Sequence, residues 1–289
     1  MTPIARWPAG ALLGEGPLWS ARDNAVYWVD IKGQLLHRLS LADESKKSWP
    51  MPERIGWVIE RRDHPGFVAG FKKVGFAFLT LDPVKVTPIG NPDAAHPGNR
   101  LNDAKADAQG RIWAGSMDDE EVAASGSLFR LDTNLKWQTA DSGYRITNGP
   151  AFNADCSLLY HTDSPLQRIY VFDVKDEVIS NKRVFLQLKA GQGYPDGMTV
   201  DADGCVWVAH WGGSRVDRFR PDGRLDRSIP MPASQITSCV FAGPNLDRMF
   251  VTSAAIGLNE AQRAAEPLAG SLFEVDPGCK GLPSRTFAG

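Results

Sequence analysis

The 289-residue sequence predicts an all-β fold: a six-bladed β-propeller whose four-stranded antiparallel blades surround a central channel. Three observations predict it. Apolar runs are short and punctuated by glycine and proline, a turn-plus-strand unit recurs six times, and the copies are spaced by about the 40–50 residues of one blade.

Glycine (28) and proline (20) are spread along the whole chain, the punctuation of many short strands. The clearest copies of the unit are Asp107-Ala108-Gln109-Gly110-Arg111-Ile112-Trp113-Ala114-Gly115 and Asp201-Ala202-Asp203-Gly204-Cys205-Val206-Trp207-Val208-Ala209, which align without a gap. Each reads as a tight turn followed by a buried strand. Weaker copies lie at 23–30, 66–71, 155–163 and 247–253, so the central apolar residues are Trp28, Val68, Trp113, Tyr160, Trp207 and Phe250. Later strands show in the likeness of 126–132 to 270–276, with 168–174 in the same slot. Only 259–268 has a helical look. Closing the ring requires a partner for the last blade, and Ile4 to Trp7 is expected beside the strand near Phe273. One propeller domain over 1–289 is expected. A double sandwich or a partly helical fold leaves the six-fold spacing without a cause.

Composition narrows the function. Hydrophobic residues make up 43% and charged residues 23%, enough for a core without disulfide or metal staples. The net charge of −2 and the absence of a basic tract argue against nucleic acid and anionic membranes as partners. Cys156, Cys205, Cys239 and Cys279 match neither a disulfide scaffold nor a C-x-x-C site and read as free thiols. Residues 1–14 lack a secretory pattern, and no apolar stretch approaches the ~20 residues of a membrane span. A cytoplasmic protein, monomeric or weakly self-associating, is the expectation.

Equivalent inner-strand positions of a propeller meet at the channel. Positions about 11–13 residues before each central apolar residue are Glu15, Gly56, Asn102, Asn148, Asp196 and Ser238. Three open a similar pattern: Glu15-Gly16-Pro17, Asn148-Gly149-Pro150 and Asp196-Gly197-Met198. Two carboxylates and an amide converging on one axis form an oxygen-only site suited to a hard divalent cation. Asn-Gly and Asp-Gly are also common turn formers, but these pairs precede their strands, while the hairpin turns come later.

With Leu13-Gly14-Glu15-Gly16-Pro17, Arg100-Leu101-Asn102-Asp103, Thr147-Asn148-Gly149-Pro150 and Tyr194-Pro195-Asp196-Gly197-Met198, the sequence resembles the SMP-30/gluconolactonase/luciferin-regenerating propellers over essentially its full length. The stretch 209–216 looks closest to bacterial members acting on aldonolactones. The resemblance implies a sugar-acid lactone hydrolase of carbohydrate catabolism. It also implies one divalent metal on Glu15, Asn148 and Asp196, with Arg100 and Asn102 contacting the substrate. Oxygen ligation favours Ca²⁺ and suits Mn²⁺ or Mg²⁺, while the family is reported with several ions, including Zn²⁺ and Fe²⁺. Asp196 is the expected catalytic base. An aryl-ester or organophosphate hydrolase, or a non-enzymatic calcium-binding propeller, are the alternatives.

Several positions stay open at this level. Ala104 stands where the family commonly has glycine, which would strain a backbone with positive φ. Trp57, beside the channel position Gly56, either narrows the pocket or faces the blade core. The acidic run from Asp118 to Glu121 is either part of a lid or a solvated loop. His161 and His210, inside second strands, read as packed rather than catalytic, and Ser164 and Ser253 lack a triad context.

Overall fold

A computed structural model describes residues 2–175 and 177–289. They form six four-stranded antiparallel sheets, one short α-helix, Glu260–Ala265, capped by Asn259, and one 3-10 turn, Ser164–Leu166. Each blade begins at the channel with an inner strand: Gly14–Ser20, Ile55–Glu60, Asn99–Ala106, Thr147–Phe152, Tyr194–Val200 and Ile236–Ala242 in blades one to six. The second strands carry Trp28, Val68, Trp113, Tyr160, Trp207 and Phe250, all at 2% exposure or less. The periodicity in the sequence is the burial of these six side chains.

The polar half of the repeat has its own cause. Asp107 Oδ1 accepts the N–H groups of Gln109 and Arg111 at 3.0 Å, and its Oδ2 accepts the indole N–H of Trp113 at 2.9 Å. Asp201 serves Asp203, Cys205 and Trp207 in the same way, at 3.0, 2.9 and 2.8 Å. One carboxylate thus closes the hairpin and anchors the tryptophan six residues on, which satisfies a buried indole donor.

Ring closure follows the expected pairing. Strand Ile4–Trp7 is the outermost of blade six, with Ile4 opposite Glu274 and Ala5 opposite Phe273. Apolar residues of neighbouring blades pack into a core at every interface, such as Tyr27 and Leu36 of blade one with Val58 and Phe67 of blade two. Each interface shields faces that a lone blade would expose to water. Residues 276–289 then cross the face where the first hairpins turn. Gly281 pairs with Asp201, Ala288 donates to Gly110 O at 3.0 Å, and Phe287 is fully buried beside Arg61.

Inner-strand irregularity places the channel residues. Pairing with the second strand slips in every blade at the channel position: between Glu15 and Leu18, Ile55 and Trp57, Leu101 and Ala104, Asn148 and Ala151, Pro195 and Met198, and Ile236 and Ser238. A bulge of this kind re-aims a side chain and breaks the two-residue alternation. Trp57 shows the result. It shares a face with Ile59 in the core between blades two and three, is 1% exposed, and lies 6.1 Å from the Phe76 ring. Gly56 is glycine because a Cβ there would stand 2.6 Å from Leu101 O. Ala104 has no positive φ, so its replacement of glycine brings no strain.

Among the described residues no helix is long and apolar enough to cross a membrane. The four cysteines are unpaired.

Candidate active site

Four inner strands contribute to one cavity of about 530 Å³ at the end of the channel where those strands begin. Glu15, Arg100, Asn102, Asn148 and Asp196 line it, each at most 6% exposed. The other two channel positions do not reach it. Gly56 has no side chain, and Ser238 lines a smaller cavity of about 80 Å³ near tail residues Leu282 to Arg285.

The carboxylates are held by their own backbones. Gly16 N–H donates to Glu15 Oε2 at 2.9 Å, Gly197 N–H bonds Asp196, and Asp103 accepts from Ala104 (2.8 Å) and Gly149 (2.9 Å). Gly149 has φ +32° and leaves no room for a Cβ against Met198. Glu15 and Asp196 lie within hydrogen-bonding reach of each other. Two such groups away from water resist double ionisation. Burial, with the charge of Asp103 added, lifts Glu15 to about 8. Burial and then the charge of Glu15 hold Asp196 well above the usual carboxylate range, and burial raises Asp103.

Asp196 Oδ1 is buried and has no hydrogen-bond partner among the described residues. An orphaned oxygen beside a second carboxylate and an amide is a donor set that a hard cation would satisfy. Among the described residues no three His, Cys, Asp or Glu side chains gather in this way. A third side-chain oxygen at this position would have to come from the amide of Asn148.

A chain of hydrogen bonds orders the amides. Asn102 Nδ2 donates to Thr147 O at 2.5 Å and to Asn148 Oδ1 at 2.7 Å. Asn148 Nδ2 donates to Ser164 Oγ at 2.8 Å, and that hydroxyl donates to Pro195 O at 2.7 Å. Asn102, expected from the resemblance to contact substrate, here spends its amide hydrogens bracing Asn148. Ser164, which has no triad context, serves instead as a hydrogen-bond bridge. Its place between the amide of Asn148 and the residue preceding Asp196 had no signal in sequence beyond its position at the end of a second strand.

Arg100 lies in the cavity wall with its guanidinium against Asn102 Oδ1 and its Nε 3.1 Å from Asp119 Oδ1. Burial lowers it to about 10, which leaves it cationic at neutral pH. The acidic run divides by role. Asp118 accepts the N–H groups of Glu120, Val122 and Ala123 and so shapes the loop, Asp119 is buried among cations, Glu120 is exposed, and Glu121 is exposed at the cavity wall.

The histidines lie elsewhere. His161 is fully buried with its ring 4.8 Å from Tyr144, edge to face, and His210 Nε2 lies 3.0 Å from Asp217 Oδ2. The aromatic lining of the cavity comes from Tyr194 and Trp211, so Trp57 gives no support to an aryl-ester pocket.

Comparison with known proteins bears on the family and the fold. The family described as SMP-30/Gluconolactonase/LRE-like region matches residues 13–255. The chain is 34% identical over 281 residues to an L-arabinolactonase of Azospirillum brasilense, covering 96% of this chain and 92% of the relative. It is 30% identical over 288 residues to a 6-deoxy-6-sulfogluconolactonase of Pseudomonas putida, covering 99% and 98%. Among solved structures, a calcium-binding protein, regucalcin, from Agrobacterium tumefaciens superposes with a TM-score of 0.92 at 25% identity, covering 99% and 96%.

Proposed function

The chain belongs to the SMP-30/gluconolactonase/LRE-like family, and from that membership and the geometry of its cavity we propose that it opens small sugar-acid lactones with the help of one divalent cation. The observation that carries the reading is the meeting of Glu15, Asn148 and Asp196 in one cavity with Asp196 Oδ1 left unpartnered. The lactonase and regucalcin relatives support it.

Glu15, Asn148 and Asp196 would hold the cation, and their oxygens favour a hard ion such as Ca²⁺. When bound, it supplies Lewis-acid polarisation of the lactone carbonyl. The remaining chemistry belongs to the chain. Asp196 takes the proton of the attacking water as the water oxygen bonds to the carbonyl carbon. The ring C–O bond then breaks, and the departing alkoxide takes the proton held by Asp196, which gives the open-chain hydroxy acid and restores the carboxylate. Arg100, fixed by Asp119, donates to ring or hydroxyl oxygens and favours a polyhydroxylated substrate over a plain ester. Asn102 and Ser164 keep the amide oxygen of Asn148 turned towards the site.

A pH-drop assay with an aldonolactone panel beside an aryl acetate tests the reading. The sugar lactones should be the better substrates. Faster turnover of the aryl acetate, with the lactones inert, would overturn it.

A further inference from the structure

Asp119 is buried, and four cationic side chains converge on its two oxygens. Lys32 Nζ (3.0 Å) and Arg100 Nε (3.1 Å) meet Oδ1, while Lys72 Nζ (2.6 Å) and the Arg54 guanidinium meet Oδ2. These cations come from blades one, two and three: Lys32 and Lys72 each lie four residues after the central residue of a second strand (Trp28, Val68), and Arg54 and Arg100 each two before a channel position (Gly56, Asn102). A carboxylate offers about four lone-pair sites, so Asp119 is saturated, whereas each ammonium carries three N–H donors and each guanidinium five. Most of those donors therefore have no acceptor in Asp119.

The charge balance points the same way. Four positive groups face one buried negative one. Glu120 and Glu121 follow on the same loop, but both are exposed and neither forms an ion pair among the described residues. With both counted the cluster keeps one positive charge; Asp118, whose charge reaches Lys72, offsets it, and Arg145, exposed at the cavity wall, restores it. Holding one carboxylate in place needs one or two cations. Each further half-buried cation adds desolvation and mutual repulsion. Lys32 and Lys72 are both lowered, first by burial and then by the neighbouring cations.

We propose that this cluster is a subsite for an anionic group carried on the lactone, a sulfonate, phosphate or carboxylate remote from the ring carbonyl. The proposal rests on the lactonase reading and names its substrate class. Lys32 and Arg100 line the same cavity as Glu15 and Asp196. Contacts run from Asp119 through Arg100 and Asn102 to Asn148, so the basic and acidic ends belong to one site. A substrate with an anionic tail is then oriented by both ends. The basic end takes the tail through charge-assisted hydrogen bonds, and the carboxylates keep it away from the reacting end.

The test measures kcat/KM of the metal-loaded enzyme on matched hexonolactones that carry hydroxyl, sulfonate, phosphate or carboxylate at carbon six. At least one anionic lactone should exceed the neutral one by roughly ten-fold or more, the worth of one charge-assisted hydrogen bond. That advantage should shrink as salt is raised. The double variant K32Q/K72Q should bring the anionic-to-neutral ratio towards one. R54Q serves as a second variant should the double one fail to fold, and the salt dependence needs no variant at all. Hydrolysis of the neutral lactone alone, or equal turnover of all four, would overturn the subsite and leave the lactonase reading standing. Hydrolysis of none would overturn both.

Discussion

Asn148 gives one amide N–H to Ser164 Oγ at 2.8 Å, and Ser164 in turn donates to the carbonyl of Pro195, the residue before Asp196. A single hydroxyl therefore links the amide of blade four to the backbone that carries the carboxylate of blade five. Because the hydroxyl hydrogen is committed to Pro195 O, Ser164 can only accept from Asn148, and the amide oxygen is left facing the cavity. Ser164→Ala should weaken cation binding by roughly 10–100-fold, as loss of an orienting partner commonly does. Calorimetric titration with metal measures it, and Ser164→Thr should recover part of the loss. An unchanged affinity would mean that Asn102 alone orients Asn148.

Asp196→Asn keeps the size and one oxygen while removing the basic oxygen. With metal occupancy measured in parallel, kcat on a sugar lactone should fall by roughly 10²–10⁴-fold, the usual worth of a general base. Wild-type turnover in the metal-loaded variant would remove Asp196 from the proton transfer.

Arg100→Ala removes a donor that serves the extra oxygens of a sugar. The ratio of kcat/KM for a hydroxylated lactone to that for an unsubstituted one should drop. Equal losses on both substrates would instead assign Arg100 to holding Asn102 in place.

Stability against acid depends on His161. Burial without a hydrogen-bond partner holds it at about 3, against 6.5 for an exposed histidine. Below pH ~6.5 the unfolded chain binds a proton that the native ring refuses, so this histidine lowers stability as pH falls, until its folded value is reached. Comparison with His161→Phe cancels the other titrating groups. The stability of the variant relative to wild type should rise by about 1.4 kcal/mol for each pH unit lost between ~6 and ~4. Parallel curves would show that the ring accepts its proton in the folded state.

The parts of this molecule that could be read from sequence are those that repeat. Trp113 and Trp207 stand out because Asp107 and Asp201 tie down the same turn and the same indole in two blades. The channel positions share a spacing because each inner strand bulges at the same place. What depends on how the strands and blades meet was hidden. The orientation of Trp57 depends on a bulge between Ile55 and Trp57 that reverses the alternation of its strand. The acidic run read as lid or solvated loop, and neither describes Asp119, whose partners Lys32, Arg54 and Lys72 lie 87, 65 and 47 positions away in the chain. Ser164 shows its use only once blades four and five are side by side.

The most direct test of the metal-assisted site is a titration of exhaustively chelated protein with a divalent cation, binding and lactone hydrolysis being followed together. Activity should be absent from the metal-free protein and return as one equivalent binds, and Glu15→Gln should weaken both responses. Full activity in the metal-free protein, or binding that Glu15→Gln leaves untouched, would contradict the account.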